Sequence, residues 1–283
     1  MEKSYFLGRH FEDKGDLSRG LDTELKPLDE QSPEVLQEVV SRIIENTREK
    51  GFQKIIIITS SRKRAQGTAE MIQVAINKED DSLRVGIVAD PHFDELHHGE
   101  PIIPADHAPQ KRIQYLDAAW KAFWHETFTE DGDYHNPDYR FGDPIVKDGR
   151  AVHPELVGHF SKVGESYKDL CQRYYEGVLG FLERAERDES KKVNLVLIAH
   201  SATTAILSNM YTVLSRGDVF LELYKTGDFM KLCWNEYQKE ITEGHVIPNT
   251  PGAYTTIDLE SIDFPKAIEF LHKEISFLRT GQI

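Results

Sequence analysis

Five short apolar segments alternate along the chain with longer amphipathic ones. The clearest lies within residues 54–59, where Ile55 to Ile58 form an unbroken run of β-branched side chains. Successive side chains of a strand point to opposite faces, so such a run is typical of a strand covered on both faces. Four further short apolar segments are also expected to be strands: residues 5–7, 84–89, 193–199 and 253–259.

The segments between these strands have the periodicity of helices. In residues 33–50, apolar side chains recur every three or four positions, with Val39 and Ile43 on one face, and Gly51 follows as a C-cap. The same periodicity predicts helices over residues 65–76, 115–126, 167–187, 203–214 and 265–278. Strands that alternate with helices favour an α/β fold, in which a mainly parallel central sheet carries helices on both faces.

Two segments interrupt the alternation of strands and helices. Within the first, residues 131–140 are mostly polar, aromatic and turn-forming, which is typical of a long functional loop. We therefore expect a single domain over residues 1–283, with a lid insertion at about 99–164 and a helical insertion at about 215–243.

The charge of the chain narrows the classes of partner. It has 34 Lys and Arg against 48 Asp and Glu, which gives a net charge of -14. Nucleic acids and anionic membranes are bound by clustered Lys and Arg, so neither is an expected partner. A small anionic substrate stays compatible with this charge if a local cationic pocket receives it.

Other features of the composition bear on the location of the protein. No run of about 18 apolar residues occurs, so a membrane span is not expected. The two cysteines, Cys171 and Cys233, are too few for a disulfide framework. No signal-like segment precedes the first strand, and we expect a cytoplasmic protein. The sequence leaves a homo-oligomer open.

Residues suited to phosphate chemistry follow four of the predicted strands. Arg9 and His10 follow the first, Arg64 the second, Glu95 the third and His200 the fourth. In open α/β sheets, ligands bind at the carboxyl ends of the strands, so these side chains are expected to converge. Guanidinium groups hold phosphoryl oxygens, a histidine can attack phosphorus, and a carboxylic acid can protonate the leaving oxygen.

Several short motifs, in the same order along the chain, resemble those of the histidine phosphatase superfamily. This superfamily contains the cofactor-dependent phosphoglycerate mutases and many phosphatases. The motifs are Gly8-Arg9-His10, residues 59–70, Glu95 with Gly99, Gly164-Glu165-Ser166, residues 196–200, and Asn249-Thr250. Three positions differ from the family pattern: Phe11 and Ser201 replace the glycines that follow the two histidines, and Asp16 stands where many relatives have Asn.

The resemblance implies a role for each of the strand-end residues. His10 would be the nucleophile that becomes phosphorylated, and Glu95 would be the general acid and then the base that activates water. Arg9, Arg64 and His200 would bind the phosphoryl oxygens, with His200 counted among the catalytic groups. If the arginines supply the positive charge, no metal is needed, and neither a metal nor another cofactor is expected.

Further residues are candidates for contact with the rest of the substrate. His97 lies two positions after Glu95, Ser201 follows His200, and the remainder lie in the predicted lid. The lid candidates are Tyr134, His135, Tyr139 and Arg140. Trp120, Phe123 and Trp124, in contrast, have helical spacing and are expected to be core.

The sequence thus predicts a phosphomonoester hydrolase that acts on a small phosphorylated metabolite through a phosphohistidine. A phosphoglycerate mutase-like phosphotransferase is an alternative with the same fold. A serine esterase is another, since residues 197–203 resemble a nucleophile elbow around Ser201, with an acid from Asp258 or Asp263 and His272 as base. A catalytically weak protein that only binds phosphate esters is the third.

Overall fold

The computed structural model describes residues 4–9, 11, 33–102, 109–129, 135–187, 193–200, 214, 254–258 and 262–280. Its strands are β1 (Ser4–Arg9), β2 (Lys54–Thr59), β3 (Arg84–Ala89), β4 (Glu100–Pro101), β5 (Val146–Lys147), β6 (Arg150–Ala151), β7 (Phe160–Lys162), β8 (Val193–Ala199) and β9 (Tyr254–Asp258). Its helices are α1 (Pro33–Glu49), α2 (Lys63–Glu79), α3 (Pro109–Thr127), α4 (Tyr167–Arg187) and α5 (Phe264–Thr280). Short 3-10 turns occupy Pro91–Phe93 and Pro154–Leu156.

The described residues include a five-stranded sheet in the order β3-β2-β8-β1-β9. Strand β2 is parallel to β3 and β8, β8 is parallel to β1, and the edge strand β9 is antiparallel to β1. The five predicted strands are these five, and the predicted α/β fold with a mainly parallel central sheet is confirmed.

The central strands β1, β2 and β8 have buried residues on both faces of the sheet, as the apolar runs predict. On one face the core contains Phe6, Ile55, Ile57, Val196 and Ile198, together with apolar residues of α1 and α2. The contributing helix residues are Val39, Val40, Ile43, Ile44, Ala65, Ala69, Ile72 and Ile76. Leu7, Ile58 and Leu197 have the opposite alternation and are buried as well, so the second face is also covered.

The chain divides into two compact units. Among the described residues, the first contains those up to Glu95 and from Tyr174 onward, and the second is Leu96–Arg173. The predicted lid, residues 99–164, falls within the second unit. Its assignment as a lid on a single domain stays a prediction.

The second unit has an aromatic core of its own. Phe123 on α3 is fully buried, and Trp120 stacks on Trp124 with ring centroids 5.6 Å apart. Phe141 packs edge-on against Trp120 at 5.0 Å. Phe123 is therefore an interior residue of this unit, as predicted, whereas Trp120 and Trp124 are half-buried beside it.

Two of the predicted elements cannot be compared with the structure. The helix predicted over residues 203–214, apart from Leu214, and the insertion at 215–243 lie outside the described residues. Where helices are described, none is long and apolar enough to cross a membrane.

Candidate active site

The carboxyl ends of the parallel strands lie level with one another. Arg9, the last residue of β1, is paired with Ala199, the last residue of β8. Thr59, at the end of β2, is paired with Ile198 on one side and Ala89 on the other. The residues that follow β2, β3 and β8 are therefore close in space, although about 140 positions separate β2 from the end of β8 in the chain.

Arg64 joins two of the predicted site residues. It is the second residue of α2, and its side chain is only 7% exposed. Its Nε donates to Nδ1 of His200 at 3.2 Å, and its Nη2 donates to Oε2 of Glu95 at 2.8 Å. An arginine keeps its charge under all ordinary conditions, so a permanent cation lies at this edge of the sheet.

Glu95 and His200 complete a compact group around that cation. Oε2 of Glu95 is 3.9 Å from Nδ1 of His200. The side chain of His200 is 1% exposed, whereas that of Glu95 is 27% exposed. The carboxylate is thus the member of the trio that solvent and small molecules reach most easily.

Ser60 and Asp94 lie on the far side of His200 and are not predicted from the sequence. Ser60 Oγ is 2.9 Å from Nε2 of His200, and it donates to Oδ1 of Asp94 at 2.7 Å. The hydroxyl of Ser61 donates to Oδ2 of Asp94 at 2.6 Å. One feature of the sequence could have indicated them: Ser60 and Ser61 directly follow one predicted strand, and Asp94, next to Glu95, comes after the neighbouring strand.

Phe11 connects the end of β1 to the helix that carries Arg64. The backbone N–H of Phe11 donates to Oγ1 of Thr68 at 2.9 Å, and that hydroxyl donates to the carbonyl oxygen of Arg64 at 2.9 Å. The side chain of Phe11 is buried in the core between the sheet and α2. This position therefore accepts a large apolar residue where the family pattern has glycine.

Some predicted site residues cannot be located. His10, Tyr134 and Ser201 lie outside the described residues, and of Arg9 only the backbone is described. Their predicted roles stay predictions.

Three of the candidate substrate contacts are exposed in the second unit: His97, His135 and Arg140. The side chain of Arg140 makes hydrogen bonds within the second unit: Nη2 donates to Oδ2 of Asp169 at 2.8 Å, and Nη1 donates to the carbonyl oxygen of Gly164 at 3.2 Å. The backbone N–H of His97 donates to Oε2 of Glu165 at 3.2 Å.

Tyr139 has an interior position that does not favour substrate contact. Its side chain is 2% exposed, and its hydroxyl donates to the carbonyl oxygen of Asp143 at 2.5 Å. Burial, together with the nearby charges of Asp143, Glu126 and Glu155, raises the pKa of Tyr139 well above its usual range. The hydroxyl stays neutral and holds a turn, and the contact of Tyr139 with substrate stays a prediction that its burial does not favour.

Gly164-Glu165-Ser166 has a structural explanation within the second unit. A Cβ at Gly164 would lie 2.1 Å from the carbonyl oxygen of His97, so only glycine fits there. Glu165 accepts two hydrogen bonds from Arg173, at 2.9 and 2.8 Å. Ser166 precedes α4, and its hydroxyl accepts from the backbone N–H of Asp169, as an N-cap does.

Within the part of the chain that the structure describes, no three His, Cys, Asp or Glu residues are grouped so that they could hold a metal ion.

A comparison with solved structures found a similar chain, whereas the comparisons with family models and with curated proteins found none. Among solved structures, this chain is similar to the native structure of a mycobacterial glucosyl-3-phosphoglycerate phosphatase, with 18% identity over 75% of this chain and 80% of that chain and a TM-score of 0.39. A likeness of this degree carries no functional argument.

Proposed function

We propose that this protein is a phosphomonoester hydrolase of the histidine phosphatase type, which acts through a phosphohistidine at His10. The observation that carries the proposal is the double contact of Arg64, with His200 at 3.2 Å and with Glu95 at 2.8 Å. It supports a site in which a buried cation lies beside an imidazole and an accessible carboxyl group. His10 directly follows Arg9, the residue that ends β1 opposite Ala199.

The reaction has two steps. A ring nitrogen of His10 attacks phosphorus, the bond from phosphorus to the ester oxygen breaks, and Glu95 gives its proton to the departing alcohol. Water then attacks the phosphohistidine, Glu95 takes a proton from that water, and the phosphorus–nitrogen bond breaks to release inorganic phosphate. Glu95 ends the cycle protonated, as it began it.

The cationic groups neutralise charge in both steps. Phosphoryl oxygens are strong acceptors, so a bound phosphate would take over N–H groups of Arg64 that Glu95 and His200 hold in the structure. This exchange leaves the carboxyl group of Glu95 beside the leaving oxygen. Because Arg64, with Arg9, supplies the positive field, the proposed mechanism uses no metal ion.

The proposed substrate is a small phosphorylated metabolite. The net charge of -14 repels anions in general, so recognition depends on the few cations at the end of the sheet. A compact ester with one phosphoryl group can reach them, whereas a long polyanion would lie across acidic surface. The cytoplasm, where such metabolites are abundant, is the proposed location.

The decisive experiment measures phosphate release from a panel of phosphomonoesters in the presence of EDTA. We expect the wild-type protein to be active and His10→Ala to be inactive. The matched control is His125→Ala, because that side chain is 80% exposed in the second unit and lies outside the proposed machinery. Full activity of His10→Ala, or loss of wild-type activity in EDTA, would contradict the proposal.

A second measurement tests the covalent intermediate. Brief incubation with a phosphorus-labelled substrate should leave acid-labile, alkali-stable label on the wild-type protein and none on His10→Ala. Hydrolysis that is lost in Ser201→Ala and kept in His10→Ala would assign the activity to a serine esterase instead. Transfer of the label to a second hydroxyl of the substrate, without release to water, would assign a mutase.

A further inference from the structure

Asp94 is a buried carboxylate that the proposed reaction does not use. It follows the turn Pro91–Phe93 after β3, and its residue is 3% exposed. Its Oδ1 accepts from Ser60 Oγ and from the backbone N–H of Ser61, both at 2.7 Å, and its Oδ2 accepts from Ser61 Oγ at 2.6 Å. Nε of Arg62 is 3.8 Å from Oδ2. Burying a carboxylate is costly unless it is paired in this way.

The proton of the Ser60 hydroxyl determines the arrangement of the neighbouring imidazole. A serine hydroxyl has one proton, and here it is donated to Asp94. Ser60 Oγ must therefore accept in its contact with Nε2 of His200 at 2.9 Å, which assigns a hydrogen to that nitrogen. On the other side of the ring, Nδ1 of His200 accepts from Nε of Arg64 and carries no hydrogen.

We propose that Asp94 is a positioning residue that acts through Ser60: the chain Asp94–Ser60–His200 fixes the tautomer and the ring orientation of His200, so that Nδ1 faces Arg64 and Glu95. Without the carboxylate, Ser60 could donate to Nε2 instead. The hydrogen would then move to Nδ1 and oppose the N–H of Arg64. The effect on catalysis rests on the proposed function, whereas the effect on the imidazole does not.

A simpler role for Asp94 predicts different results. If the carboxylate only shaped the turn at Ser61, the contacts with Ser61 would matter and the contact with Ser60 would not. Ser61→Ala is therefore the matched control, because it removes one hydrogen bond to Asp94 and leaves the chain to His200 intact. Asp94→Asn is the conservative variant, because its amide oxygen can still accept from Ser60.

The test reads the tautomer of His200 directly. Long-range proton–nitrogen NMR spectra of protein labelled with ¹⁵N-histidine distinguish a ring protonated at Nε2 from one protonated at Nδ1, and His200→Gln identifies the signals. We expect the Nε2–H form in the wild type, Ser61→Ala and Asp94→Asn. We expect the population of this form to fall in Asp94→Ala, where Ser60 is free to donate to Nε2, and the Nε2–H signal to shift in Ser60→Ala, which removes its acceptor. Unchanged His200 signals in Ser60→Ala would overturn the proposal. This variant is expected to fold, because it removes only one buried oxygen atom.

Kinetics on the same proteins test the catalytic consequence. If the site is a phosphatase, kcat should fall by about 10- to 100-fold in Ser60→Ala and Asp94→Ala, the loss typical of a misplaced group, and recover in Asp94→Asn. A wild-type protein that hydrolyses no ester would refute the proposed function, while the NMR result would still decide the role of Asp94. If the wild-type protein is active and Ser60→Ala has the same kcat and the same His200 NMR signals, the positioning role is refuted and the proposed function is not.

Discussion

At the scale of single residues, the candidate site is arranged around one arginine with two partners. Three basic residues lie at the start of α2, Arg62, Lys63 and Arg64, and the resemblance to the family motif selects Arg64 among them. Lys63 is exposed, whereas Arg64 is buried against His200 and Glu95. Arg64 is therefore the residue of the two whose charge is shielded from water, where the effective dielectric constant is lower and charge interactions are stronger.

Replacing this arginine should remove most of the activity. We expect Arg64→Ala to lower kcat/KM for a phosphomonoester by about 100-fold or more, because a preorganised donor for transition-state charge is lost. Steady-state kinetics of purified protein provide the measurement. Lys63→Ala, one position earlier and exposed, should stay within a few-fold of the wild type. Equal losses in the two variants would mean that only the general charge of the helix end matters.

At the scale of elements, tight backbone contacts in the second unit limit which residues fit. Gly164 lies against the backbone of His97, and the backbone N–H groups of Gly164 and Glu165 are both hydrogen-bonded. Gly164 N–H donates to the carbonyl oxygen of Phe141, and the N–H of Glu165 donates to that of His97, each at 2.7 Å. The backbone has little room to move, so a side chain at this position cannot be relieved by a small shift.

The substitution Gly164→Ala tests this packing. We expect the free energy of unfolding to fall by more than about 2 kcal/mol, since the added Cβ overlaps backbone atoms that are hydrogen-bonded in place. Urea unfolding followed by circular dichroism measures it. Gly86→Ala, in β3, has no atom within 4 Å of the added Cβ and should change stability by less than about 0.5 kcal/mol. A stable Gly164→Ala protein would contradict the tight fit.

Helices α1 and α2 are joined at their C-terminal ends by an acid whose effect depends on pH. Asp80 Oδ1 accepts from the hydroxyl of Ser82 at 2.6 Å, and Oδ2 accepts from Nη2 of Arg48 at 2.8 Å. The hydrogen bond from Ser82, helped by Arg48, lowers the pKa of Asp80 in the folded protein. A lowered pKa means that the ionised carboxylate favours the folded state.

This contribution should be present at neutral pH and lost in acid. An unfolded chain has an Asp pKa of about 3.9, so the stabilisation is complete above that value and disappears as pH falls through the lower pKa of the folded state. Asp80→Asn should therefore lower the midpoint of urea unfolding at neutral pH and have little effect well below pH 4. Asp81→Asn, at the exposed neighbouring position, should have little effect at either pH. A loss for Asp80→Asn that persists in acid would contradict the assignment.

At the scale of the whole molecule, we expect the acidic charge to limit the size of an anionic ligand. Positive charge at the candidate site is local, and the net charge of -14 opposes any anion that extends beyond it. Binding to a nucleic acid requires several phosphates to be neutralised together by Lys and Arg. We therefore expect no binding of a labelled single-stranded oligonucleotide at low ionic strength, measured by fluorescence anisotropy, under conditions in which small esters are hydrolysed. Binding that weakens with added salt would reveal a basic surface outside the candidate site.

The sequence by itself predicted the sheet, and the convergence of three polar residues at one edge of it, for the same physical reason. Strands such as residues 54–59 are covered on both faces, so they can be recognised in the sequence as continuous apolar runs. Polar residues directly after such strands lie at the carboxyl edge of the sheet. Arg64, Glu95 and His200 are within hydrogen-bond or ion-pair distance there. Their catalytic roles, with that of His10, stay predictions.

Only the tertiary structure decided which residues surround them and which candidates are interior. The contact of Ser60 with both Asp94 and His200 joins three chain segments, and no spacing in the sequence encodes it. Tyr139 occurs in a polar, loop-like stretch, yet its side chain is buried inside the second unit, and its hydroxyl donates a hydrogen bond to the carbonyl oxygen of Asp143. Periodicity along the chain determines which face of an element is buried. The partner of a polar group is determined by where distant elements meet, and that is a property of the folded chain.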